Sequence, residues 1–133
     1  MRLTYKSLLP SRSWTVSVFR TQFEVGDPEG RRWETVNALV DTGASFTWLP
    51  SELLRRLGVE PYDRRQFELA NGSIIEREIG QTWLRALNQS AIRIVVFGHE
   101  REATLFGADA MEGLGLAADP VNQRLIAVRA LAQ

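Results

Sequence analysis

The helical signals in this chain are too short to cross over a parallel sheet. One opens at Pro50-Ser51, repeats Leu53, Leu54 and Leu57 at helical spacing, and closes on Gly58. The other places Asp109 and Glu112 as a capping box, sets Ala110, Met111 and Leu114 on one face, and ends at Gly115. A βαβ unit needs a longer crossover, so a doubly wound α/β sheet is disfavoured. The rest of the chain reads as short strands. Polar and apolar residues alternate over Ser13–Phe19 and again over Trp33–Val40, on either side of a turn at Gly26–Gly30. Phe67–Ala70 and Ile74–Ile79 flank Asn71-Gly72, a hairpin signal. Trp83–Leu87, Ala91–Phe97, Ala103–Phe106 and Leu125–Val128 read as further strands. The pattern predicts an all-β fold, a small closed or semi-closed barrel with two short helices.

The 133 residues suit one domain with a modest core. Residues 1–12 read as a lead-in segment and 13–133 as the single domain. Sixteen basic and sixteen acidic residues cancel. That balance offers no basic excess for nucleic acid or an anionic membrane, and neither is expected as a partner. The apolar residues near the N-terminus are interrupted by Lys6, Pro10 and Arg12, unlike a signal peptide or a membrane span, so a cytoplasmic location is expected. The chain has no cysteine, which removes disulfides, thiolate nucleophiles and cysteine metal sites. His99 is the only histidine, so neither a histidine-rich zinc site nor a Ser-His dyad is expected, and no metal or cofactor is called for. Arg55-Arg56 and Arg64-Arg65 read as solvated surface, and Trp83 as a further side chain near a binding site.

One run carries chemistry. In Ala38-Leu39-Val40-Asp41-Thr42-Gly43-Ala44-Ser45, an apolar strand ends on an acid followed by a hydroxyl residue and glycine. Glycine permits a tight turn and lets backbone approach the carboxylate, so amides and a hydroxyl can fix its orientation. An ordinary turn after a strand has the same composition, and the residues alone leave both readings open.

Val40-Asp41-Thr42-Gly43-Ala44 resembles the active-site signature of the retroviral-type, or retropepsin-like, aspartic proteases. Leu105-Phe106-Gly107-Ala108-Asp109-Ala110-Met111 resembles the segment that opens the C-terminal helix of that fold, and the Asn71-Gly72 hairpin lies where the family places its flap. The resemblance spans Trp14 to Val128. It implies a retropepsin-like acid-protease barrel and an aspartic endopeptidase acting on an extended peptide. It makes Asp41 the catalytic acid. Thr42 would reach across a dimer axis, Gly43 would meet the substrate backbone, Ala44 would fill the adjoining position, and Gly107 would pack beneath the loop. Asp109 falls at the first turn of the helix, where a plain N-cap is an equal reading. Ala70, Asn71, Gly72 and Ser73 would form the flap, or else an ordinary surface hairpin. Phe46, Ile74, Ile75 and Leu105 are candidate pocket residues. The family's chemistry uses two carboxylates sharing a proton, and this chain has a single Asp-Thr-Gly, so a homodimer is implied. A protease-like domain that dimerises or binds peptides without cleaving them is the alternative.

Overall fold

The computed structural model describes residues 18–129. The lead-in segment and the first part of the expected 13–19 strand lie outside those residues. Strand β1 (Val18–Gly26) pairs antiparallel with β2 (Trp33–Asp41) along its whole length, from Val18 opposite Asp41 to Gly26 opposite Trp33. The first strand thus runs well past Phe19, its expected end. Its alternation continues, with Phe19, Phe23 and Val25 buried and Arg20 and Gln22 exposed. The turn between the strands is tied by Asp27, whose Oδ1 accepts the amides of Arg31 (2.6 Å) and Arg32 (3.1 Å).

After β2 come β3 (Thr47–Pro50), helix α1 (Ser51–Arg56), β4 (Asp63–Glu68), β5 (Ile74–Ala86), β6 (Gln89–Gly98), β7 (Leu105–Phe106) and helix α2 (Ala108–Leu114). The main sheet runs β1-β2-β7-β3-β6-β5-β4, and β1 also pairs with β5 through Glu24–Arg85 and Val25–Leu84. That second pairing closes six strands into a barrel and leaves β4 attached to β5 alone. Among the described residues, the expected small barrel with two short helices is what forms. Its interior holds Val40, Leu49, Leu54, Val95, Phe97 and Phe106, with Phe23 and Phe106 rings 4.7 Å apart.

Two expected strands, 74–79 and 83–87, are one continuous strand, β5. Gly80 lies within it because a side chain there would come within 3.0 Å of the Glu60 carbonyl and the Phe97 ring. The first part of β5 pairs with β4 and the remainder with β6. Strand β4 itself lies earlier than the expected 67–70. Its four leading residues, Asp63 to Gln66, are all exposed and give no apolar alternation.

A separate hairpin of β8 (Leu116–Asp119) and β9 (Arg124–Ala127) follows α2. The second strand was expected and the first was not, since Ala117 and Ala118 give little apolar signal. Asp119 shapes the turn by accepting the amides of Val121 and Asn122. Among the described residues no helix is long and apolar enough to cross a membrane.

Candidate active site

Asp41 is the last residue of β2, and Thr47 opens β3. These two strands are not neighbours, because β7 lies between them. It is parallel to β2 through Leu39–Leu105 and Val40–Phe106, and antiparallel to β3 at Trp48–Leu105. The Thr42–Phe46 connection must therefore pass over the end of β7. Within it, the Gly43 amide donates to Asp41 Oδ1 (3.0 Å) and the Ala44 amide donates to the Asp41 carbonyl (3.1 Å). The carboxylate-bearing residue is 2% exposed, whereas Thr42 and Gly43 are at the surface.

Gly107 lies directly under this loop. Its amide donates to the buried Thr47 Oγ1 (3.1 Å), and a methyl added to it would overlap the Phe46 carbonyl and come within 2.9 Å of that of Ala44. The next two amides, of Ala108 and Asp109, donate to the carbonyls of Ala44 (2.8 Å) and Ser45 (2.9 Å). Helix α2 thus spends its first free donors on the Asp41 loop. This corrects the expected capping box. The N-cap is Gly107 with no side-chain cap, because the helix already begins at Ala108 and so puts Asp109 inside its first turn rather than ahead of it. Asp109 instead receives Arg93 of β6 through two bonds, Nε to Oδ2 (3.1 Å) and Nη2 to Oδ1 (2.6 Å). Arg93 crosses α2 at Gly113, where a Cβ would sit 2.5 Å from the guanidinium.

The Ala70–Ser73 segment is the exposed tip of the β4–β5 hairpin. Leu69 and Ser73 close a three-residue loop, with the Gly72 amide on the Leu69 carbonyl (2.8 Å) and Gly72 at φ +84°. Asn71 Oδ1 accepts both the amide and the hydroxyl of Ser73. The hairpin leans on the site through Phe67, whose ring packs edge-on against Phe46 (6.4 Å) and Trp48 (5.1 Å). Ile75 pairs with Phe67, and Leu105 pairs with Trp48, so Phe46, Ile75 and Leu105 gather around this aromatic group. Ile74 does not join them. It projects from the opposite face of β5 and is 54% exposed. Trp83 lies toward the other end of β5, against Gly30 of the β1–β2 turn. The sequence alone does not place Phe67 or Trp48 at the site, although Phe46 and Trp48 stand two apart, the spacing that puts strand side chains on one face.

The root of the hairpin is held by an ion pair. Arg77 of β5 donates Nε and Nη2 to Glu102, in the loop before β7, at 3.0 and 2.5 Å, and Glu102 Oε1 also accepts the His99 amide at 2.6 Å. The two side chains are 13% and 16% exposed. Burial pushes the Glu102 carboxyl up, but Arg77 and the His99 amide outweigh it and hold the group below the usual carboxylate range. A carboxyl lowered on folding stabilises the fold above its unfolded value and loses that contribution as pH falls through its folded value. Glu102→Gln is expected to lower stability by about 1–3 kcal/mol at pH 7. The gap from the parent protein should narrow as pH falls to 3. Urea denaturation at the two pH values measures it, and an equal gap at both would remove the pair as its source.

The geometry defines an acid-protease fold: one buried aspartate at a strand end, a glycine turn beside it, and a second glycine opening a helix beneath it. Residues 32–113 match the family described as "gag-polyprotein putative aspartyl protease", and the chain belongs to that retropepsin-like family. The match runs from β2 through most of α2 and includes the Asp41 loop, the β4–β5 hairpin and Gly107. No curated protein matches the chain.

Proposed function

We propose that the protein is an aspartic endopeptidase whose complete site is a pair of Asp41 side chains, one from each subunit of a homodimer. The observation that carries this reading is the construction of the Asp41 loop. A buried carboxylate beside an exposed Thr42-Gly43 edge is clamped from below by the first amides of α2. Such a loop can present its acid to a twin across a two-fold axis while keeping its orientation. Two carboxylates so close together cannot both ionise cheaply, so they hold one proton between them. The ionised member takes a proton from water as its oxygen attacks the scissile carbonyl carbon. The protonated member hydrogen-bonds the carbonyl oxygen, and a proton is delivered to the amine as the C–N bond breaks. The substrate lies as an extra strand between the loop and the Ala70–Ser73 flap, whose closure excludes water. Phe46, Ile75 and Leu105 offer it apolar contacts. The Thr42 side chain meets the partner's loop, and Gly43 leaves room for the peptide backbone.

Digestion of a peptide library from pH 3.5 to 7, repeated over a dilution series of the protein, tests this. Where monomer predominates, doubling the protein concentration should raise the rate about fourfold, because the active species is the dimer. A rate strictly proportional to concentration, at concentrations where ultracentrifugation finds only monomer, would contradict the paired site.

A further inference from the structure

We infer that Arg65 selects substrates carrying an acidic side chain near the scissile bond, an inference that rests on the peptidase reading above. In a strand, alternate residues share a face. Phe67 faces the aromatic group beside the Asp41 loop, so Arg65 on the same strand faces that way too. Its guanidinium carbon lies 5.9 Å from the centre of the Phe46 ring, and Phe46 is the last residue of the loop that carries Asp41. The cation therefore stands at the rim of the space a peptide would occupy between hairpin and loop.

The charges around it are unequally matched. Arg64, on the outer face, pairs with Glu76 at 3.0 Å. Arg77, directly across the hairpin from Arg65, is neutralised by Glu102. Among the described residues no carboxylate lies within ion-pair distance of Arg65. Asp63, two positions before it on the same face, has Oδ1 on the Arg64 amide at 2.8 Å. Resting on an aromatic face steadies a guanidinium while leaving its in-plane N–H donors available, and those donors match a carboxylate in a two-point bond. A peptide strand bound beneath the hairpin sends every second side chain toward β4. One that ends in a carboxylate would give Arg65 the partner its own chain lacks.

The test uses eight-residue peptides with an apolar scissile pair and Glu, Gln or Lys placed in turn at each flanking position. Affinity is read by fluorescence anisotropy on the Asp41→Asn protein, and cleavage on the parent. At one or more positions Glu should exceed Gln about tenfold in affinity and in kcat/KM, a ratio that shrinks with added salt. Arg65→Gln should bring the ratio to within about twofold, Arg65→Lys should restore most of it, and Arg65→Glu should turn the preference toward Lys. A merely structural arginine would not move a Glu-to-Gln ratio. Equal treatment of Glu and Gln by the parent protein overturns the inference, as does a preference that survives Arg65→Gln. Glu-selective binding without cleavage would support Arg65 and count against the peptidase. Cleavage without selectivity would do the reverse, and neither binding nor cleavage of any peptide would overturn both.

Discussion

Asp41→Asn is expected to lower kcat/KM about 10⁴-fold while leaving the fold intact. The replacement has the same shape, and its carbonyl oxygen can still accept the Gly43 amide that now bonds Oδ1 at 3.0 Å. What disappears is the ionisable group, and with it both the base that activates water and the proton that would be shared. A sharper form of the experiment mixes parent and variant chains and lets the subunits exchange. If a site needs two aspartates, only parent–parent dimers cut, and an equal mixture should keep roughly a quarter of the activity, by the statistics of random pairing. A chain that acts alone would keep about half. The thermal midpoint of the variant, followed by circular dichroism, should stay within a few degrees of the parent. A large drop would make the lost activity a folding effect and leave the pairing test to decide.

Gly107→Ala is expected to be the most damaging single-methyl change in the described chain. Its backbone, at φ −97° and ψ 179°, is one that alanine adopts without strain. The penalty is therefore steric. The methyl meets two carbonyl oxygens of the Asp41 loop, those of Phe46 and Ala44, and backbone cannot step aside by changing rotamer. Either the loop lifts or α2 withdraws, and both lose the hydrogen bonds from Ala108 and Asp109. A loss of about 2–4 kcal/mol follows, with loss of cleavage even where the protein remains folded. Gly58→Ala is the useful comparison. Gly58 has φ +79° with nothing within 4 Å of the added carbon, so its replacement strains the backbone without a clash and should cost about 1 kcal/mol. Urea denaturation of both variants measures the difference. Equal costs would mean that the loop yields to Gly107 far more easily than its hydrogen bonds suggest.

The legible features were those with a local signature. Asp41-Thr42-Gly43-Ala44, the glycine after Leu105-Phe106, and Asn71-Gly72 each need particular small residues at consecutive positions, and the structure uses each for a tight turn or close approach. The features that escaped depend on distant partners. Arg93 is on β6, and nothing beside Asp109 announces it. The helix N-cap lies two residues ahead of the expected one, where the first amides of α2 meet the Asp41 loop, and Asp109 falls within the first turn. The expected strands stop at Ile79 and resume at Trp83, whereas Gly80 continues β5 for a reason, the Glu60 carbonyl and the Phe97 ring, that comes from elsewhere in the chain. Arg64 and Arg65 looked alike as adjacent surface cations. Strand alternation sends one to Glu76 and the other to Phe46.

The bonds from Ala108 and Asp109 to Ala44 and Ser45 also set an order of events during synthesis. The backbone that props the Asp41 loop is made well after Asp41 itself, following both strands of the β4–β5 hairpin and β6. A growing chain therefore carries its acid without the support that orients it, and the contact that completes the loop is among the long-range ones that fold slowly. On the peptidase reading, cleavage then has to wait until α2 has been made and has docked beneath the loop.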